Sequence, residues 1–120
     1  MNNTLNKITL IGYLGDDVKL HYFEKDNCIG RVSLATNETY TNKNNEKITQ
    51  TEWHNLVVRN KVAELFEKYL TKGDRIYVEG KIKSRSWQTD EGITKNVVEV
   101  HVEEFTFLNT KKVIDKNSNE

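Results

Sequence analysis

Apolar residues recur along this chain at two spacings, and the switch between them divides it into elements. Period two dominates. In CIGRVSLATNETY, Val32 and Leu34 fall on one side while Arg31, Ser33 and Ala35 fall on the other, the alternation of a half-buried strand. Upstream, NKITLIGYLGDD carries Ile8, Leu10 and Ile11 before Gly12 and Gly15, which predicts a strand that bends or bulges at its glycines. A second strand is expected from Val18 to Tyr22, followed by a polar turn over EKDN at 24–27. After Tyr40, TNKNNEK contains no apolar residue and reads as a polar loop between two strands. In TEWHNLVVRN, Trp53, Asn55, Val57 and Arg59 share one face, and His54, Leu56 and Val58 share the other, which is the better core face.

The spacing then changes. KVAELFEKYL places Val62, Leu65, Phe66, Tyr69 and Leu70 at i, i+3, i+4, i+7 and i+8, which predicts a helix of about ten residues. Asn60 is the expected N-cap and Gly73 the expected stop. Period two returns in RIYVEGKIKSRSW: Ile76, Val78 and Ile82 face inward, and Lys81, Lys83, Arg85 and Trp87 face outward. Gly80 falls on the inward side, where a missing side chain permits a bend or a close backbone approach. Beyond Ile82 the inward positions are Ser84 and Ser86, so this strand is expected to outrun the core and project as an arm. QTDEGIT turns the chain, and a long returning strand bears Val98, Val100 and Val102. Phe105 and Phe107 have the opposite parity, which predicts a bulge or a change of buried face near Glu103.

This order, strongly curved strands with one short helix inserted before the fourth, predicts an all-β fold: a five-stranded Greek-key OB-fold barrel with a long projecting hairpin between strands 4 and 5. At 120 residues the chain is expected to form one domain over 1–108, with the polar stretch 109–120 as a disordered tail. No apolar run approaches the roughly 18 to 20 residues that cross a bilayer, and MNNTLNK has no secretory pattern, so the expectation is a cytoplasmic, nucleoid-associated protein without membrane contact. The lone Cys28 fits a reducing compartment and reads as a small buried thiol.

Eighteen basic and eighteen acidic residues give zero formal charge, so a nucleic-acid partner must be argued from placement alone. Catalysis finds little support. The chain has no GxxxxGK[ST], HExxH or CxxC motif, its three histidines are scattered, and Asp16 and Asp17 follow Gly15 in a turn; no metal or cofactor is expected. Alternating Lys and Arg on a strand usually marks only a solvated face. Trp87 changes this reading, because a large ring outside the core is ordinarily justified by a partner. Unstacked bases lie on aromatic rings while Lys and Arg pair with phosphates, which favours a single strand over a duplex. Trp53, with Asn55 and Arg59 on its face, repeats the combination on another strand, and Arg31 adds an outward cation on a third. Net neutrality is accommodated if acidic residues such as Glu99, Glu103 and Glu104 lie elsewhere.

NKITLIGYLGDD, VSLATNETY, TEWHNLVV, VAELFEKYLTKGDRIYVEGKIKSRSW and VVEVHVEEFTFL, in that order from about Asn6 to Leu108, resemble the bacterial single-stranded-DNA-binding protein family. The resemblance implies a homotetramer of OB-fold subunits that wraps single-stranded DNA without sequence preference in replication, recombination and repair. It implies base stacking by Tyr40, Trp53 and Trp87, and a phosphate path along Lys7, Lys81, Lys83 and Arg85. Tyr40 has the inward parity of Val32 and Leu34, so a bend after Thr36 is needed to bring it round. Arg59 departs from the family, which commonly presents an aromatic ring there; a guanidinium still lies flat on a base and also neutralises phosphate. His54 resembles a histidine near a subunit contact. Family members usually carry a Gly- and Pro-rich extension with an acidic, aromatic tip that recruits replication and repair proteins; from the lack of proline and the closing DKNSNE, that peptide is expected to be absent, and such partners are expected only without it. A dimeric primosome accessory protein of related fold and a small OB-fold nuclease are the competing readings.

Overall fold

The computed structural model describes residues 3–109. Of the expected tail, 109–120, Asn109 instead closes the last strand, and the remainder lies outside the described residues. Among the described residues, six strands and one helix follow in the order β1 (Ile8–Leu14), β2 (Lys19–Glu24), β3 (Asn27–Thr41), β4 (Lys47–Arg59), α1 (Asn60–Tyr69), β5 (Arg75–Gln88) and β6 (Thr94–Asn109). β1 pairs with β5, β5 with β6, β6 with β4 and β4 with β3, and β3 returns to β1 through Tyr13 opposite Ala35 and Leu14 opposite Leu34. Five strands therefore close a barrel, as the element order predicts. β2 lies outside that ring on the far end of β3, because the chain breaks after Leu14 and rejoins β3 at Lys19. All pairings are antiparallel except the short parallel contact of β4 with β6 at Asn55 to Val57.

The interior is filled by the inward parity of each strand. Leu14, Val32, Leu34, Leu56, Val58, Ile76, Val78 and Val100 are buried together, and α1 adds Ala63, Phe66 and, just past its end, Leu70. The helical stripe differs from the expected one at two positions: Ala63 is buried and Leu65 is exposed. Phe105 and Phe107 pack edge-on against Phe66, with ring centroids 5.2 and 5.8 Å away. They reach the helix because the β5–β6 register shifts between Glu79 opposite Glu104 and Gly80 opposite Val102, leaving Glu103 as the extra residue that reverses parity. The bulge predicted near Glu103 is present. A Cβ on Gly80 would run into the His101 carbonyl carbon at 2.8 Å, so glycine is what lets β5 pass close to β6 here.

Three local expectations are corrected. Asn60 does not cap α1: the N-cap position is Arg59, with no side-chain cap bond, while Asn60 takes φ +53° and accepts a hydrogen bond from the Cys28 amide at 3.0 Å. α1 ends at Tyr69, and Gly73, with φ +92°, belongs to the following turn and donates from its amide to the Leu14 carbonyl at 2.8 Å. Ile82 was expected inward but is exposed, because β5 leaves the core directly after Gly80. The buried thiol of Cys28 is as expected.

Candidate nucleic-acid interface

Strand register decides which side chains share a surface. Arg31 pairs opposite Val57, Ser33 opposite Asn55 and Ala35 opposite Trp53. Asn55 and Val57 stand opposite Glu99 and His101 on β6, and across β6 Glu99 and His101 stand opposite Lys83 and Lys81 on β5. The outward parity of four adjacent strands thus forms one continuous face. It holds Arg31, Trp53, Asn55, Arg59, Lys81, Lys83, Arg85 and Trp87, the predicted residues of β3, β4 and β5 other than Tyr40. Val57, expected on the Trp53 face and not on the better core face, keeps that outward parity but is buried, flanked by Arg31 and His101 on the neighbouring strands and absent from the barrel core.

Both indoles remain accessible: Trp53 retains 59% and Trp87 42% of its surface. The Trp53 ring lies over Gly15, where an added Cβ would meet it at 2.9 Å, so the glycine at the break between β1 and β2 seats that ring. Trp87 is partly covered by the Arg85 guanidinium, 4.6 Å from the ring centre. Its strand is held out by pairing with β6 through Gln88 opposite Thr94, and every β5 residue from Lys81 onward is exposed. The hairpin of β3 and β4 projects similarly, with Asn37 bonded to Thr51 at 2.7 Å and Thr39 to Thr49 at 3.3 Å on the Trp53 face. Tyr40 is exposed, opposite Ile48. Register places it on the face of Thr36 and His54, opposite to that of Trp53, so the β3–β4 pairing does not bring the two rings to one side. His54 is half-buried and its Nε2 lies 2.9 Å from Thr36 Oγ1.

The cations are more constrained than their alternation implies. Glu99, expected away from them, is buried at their centre: Arg31 Nε lies 3.2 Å from one carboxylate oxygen and Arg85 Nε 3.5 Å from the other. Burial alone would raise the Glu99 pKa, but the hydrogen bonds and charges of Arg31 and Arg85 outweigh it and hold the carboxyl below its ordinary value. Lys81 reaches the bulged Glu103 at 3.7 Å, and Lys7 reaches Glu79 at 3.8 Å. Glu79 also accepts a short hydrogen bond from the Tyr77 hydroxyl, which lowers its pKa, with Lys7 adding to the effect. Lys83 and Arg59 make no ion pair among the described residues.

His101 escaped the sequence reading. The signal was present, since an outward parity follows for it from the inward position of Val100 next to it; Val98, of the same parity as Val100, is itself exposed where the strand outruns the core, and no motif drew attention to His101. It is half-buried, with Nε2 3.7 Å from Glu99. Burial lowers its pKa, and the nearby charges of Lys83 and Arg59 lower it further, against a smaller opposing effect of Glu99. Asp16 and Asp17 are ordinary turn acids: one accepts from the next amide, the other from the Lys72 amide at 2.8 Å. No group of metal-ligating side chains occurs among the described residues, and no described helix is long and apolar enough to cross a membrane.

Comparison with known proteins places this geometry. A single-stranded DNA-binding protein of Bacteroides thetaiotaomicron is 38% identical over 110 residues, covering 90% of this chain and 68% of the relative. One from Neisseria meningitidis is 37% identical over 105 residues, covering 88% of this chain and 60% of its own. This chain therefore spans roughly three-fifths to two-thirds of those relatives' length. Among solved structures, the Plasmodium falciparum SSB in complex with ssDNA superposes with a TM-score of 0.80 at 35% identity, over 91% of this chain and all of that one. A deletion mutant of the single-stranded DNA binding protein from Thermus aquaticus gives 0.73 at 28% identity, over 88% of this chain and 51% of that one. The model of the single-strand binding protein family matches residues 5–108, nearly the whole barrel with its projecting hairpins, and the chain belongs to that family.

Proposed function

We propose that this protein binds single-stranded DNA without sequence preference, by stacking bases on Trp53 and Trp87 and pairing phosphates with the cations between them. The observation that carries the reading is the single outward face on which two accessible indoles and the basic side chains of β3, β4 and β5 lie together. The relatives named for this activity, and the neighbour bound to ssDNA, support it. Arg31, Asn55, Arg59, Lys81, Lys83 and Arg85 form the proposed strand path. Lys7, beyond β1 and beside Glu79, extends it. Tyr40 on its separate face contacts the strand only if the strand passes round the β3–β4 hairpin.

Assembly into a homotetramer, with His54 near a subunit contact, and service in replication, recombination and repair complete the proposal. Titration with oligo-dT at low salt tests it. Tryptophan fluorescence is expected to be quenched, with affinity falling as salt rises; an unquenched signal would overturn the reading. Solution mass tests the tetramer.

A further inference from the structure

Lys83, Arg59 and His101 lie within one patch of the outward face, and the ion pairs of its neighbours Arg31, Lys81 and Arg85 set this patch apart. Lys83 stands opposite Glu99 and diagonal to His101 across β5 and β6. Arg59 lies two residues beyond Val57, the direct neighbour of His101 on β4. Arg31 and Arg85 are taken up by Glu99, and Lys81, directly opposite His101, by Glu103. An approaching anion therefore meets two cations that have no ion pair among the described residues, beside a half-buried imidazole.

We propose that Lys83, Arg59 and His101 form a proton-linked phosphate seat, in which a strand phosphate held by Lys83 and Arg59 draws a proton onto His101. The inference rests on the proposed DNA binding and adds a residue and a linkage to it. Its physical basis is charge cancellation. In the free protein, burial and the two neighbouring cations keep the imidazole neutral near pH 7, with Glu99 pulling the other way. A phosphate between Lys83 and Arg59 cancels the cationic influence, leaves the Glu99 attraction intact and adds its own, so the imidazolium becomes favourable. The groups facing the ring are Lys81 and Lys83 from β5, Arg59 from β4 and Glu99 from β6, with Arg31 of β3 acting through Glu99. Glu99 stays ionised in the range where His101 titrates, since Arg31 and Arg85 hold its pKa down.

The sign follows from linkage. A histidine whose pKa rises on binding takes up a proton, so affinity grows as pH falls through the bound-state pKa and levels off below the free-state one, at up to about tenfold per pH unit per site. Oligo-dT titrations of the full chain at pH 6 and pH 8 should show tightening at pH 6. The log–log salt slope should also steepen there by up to about 0.7, the share of one further neutralised phosphate. His101→Gln should bind with the same slope at both pH values, while His21→Gln keeps the pH dependence. Imidazole NMR on the unaltered protein provides a readout independent of any variant, and the His101 pKa should rise when oligo-dT binds. Binding accompanied by an unmoved His101 pKa, or a pH-dependent slope that survives in His101→Gln, overturns the seat alone. No binding at any pH overturns the seat and the DNA-binding reading together.

Discussion

Replacing Trp87 by alanine removes an indole that stands beyond the barrel core and loses little packing. Oligo-dT affinity should weaken by about 1 to 3 kcal/mol, the usual worth of one stacked base. Thermal denaturation should be nearly unchanged; a large fall in midpoint would show that the ring supports the fold. Glu99 predicts a different signature. Its native pKa lies below the ordinary 4.5, so as pH drops past that value the unfolded chain binds the proton first and stability falls until the native carboxyl is also protonated. Denaturant midpoints between pH 3 and pH 7 should therefore decline with acid in the natural protein and be flatter in Glu99→Gln over the same window. Equal acid dependence would show that Arg31 and Arg85 do not hold this carboxylate in solution.

Elements were legible where one periodicity ran unbroken. The parity of β4 and β5 assigned Trp53, Asn55, Arg59, Lys83, Arg85 and Trp87 to the outward side of their own strands, and the parity reversal at Phe105 pointed to an irregularity near Glu103, where the bulge lies. Parity failed where burial was set by something other than the barrel interior. Val57 is outward yet covered, and Ile82 is inward in pattern yet has no core to enter. Pairing partners were illegible for the same reason: nothing local in β6 says that Glu99 will face Arg31, 68 residues away in the chain. The closest approach of β5 and β6 yields the element-scale test. Gly80→Ala places a methyl group against the His101 backbone, which cannot swing aside as a side chain would. It should cost about 1 to 3 kcal/mol of stability, read from denaturant midpoints, and unaltered stability would mean that the bulge relaxes freely.

At the scale of the whole molecule, zero formal charge does not prevent a basic path; it limits how much of that path is free. Lys7, Lys81, Arg31 and Arg85 each have a carboxylate within 4 Å. A phosphate that displaces such a carboxylate gains little net neutralisation, because the freed carboxylate stands unpaired beside the strand and repels it. Lys83 and Arg59 have no such partner among the described residues and contribute fully. At about 0.7 per neutralised phosphate, these two give a salt slope near −1.4 per subunit from the proposed strand path, where all six of its cations acting freely would give about −4.2. Removing the partners should move the protein from the first regime towards the second. Oligo-dT titrations of a combined Glu79→Gln, Glu99→Gln, Glu103→Gln variant should show tighter binding at low salt and a steeper slope than the natural protein at pH 8, where His101 is neutral in both. An unchanged slope would mean that the carboxylates already release their cations without cost when DNA arrives, and that the internal ion pairs do not regulate how strongly this face responds to salt.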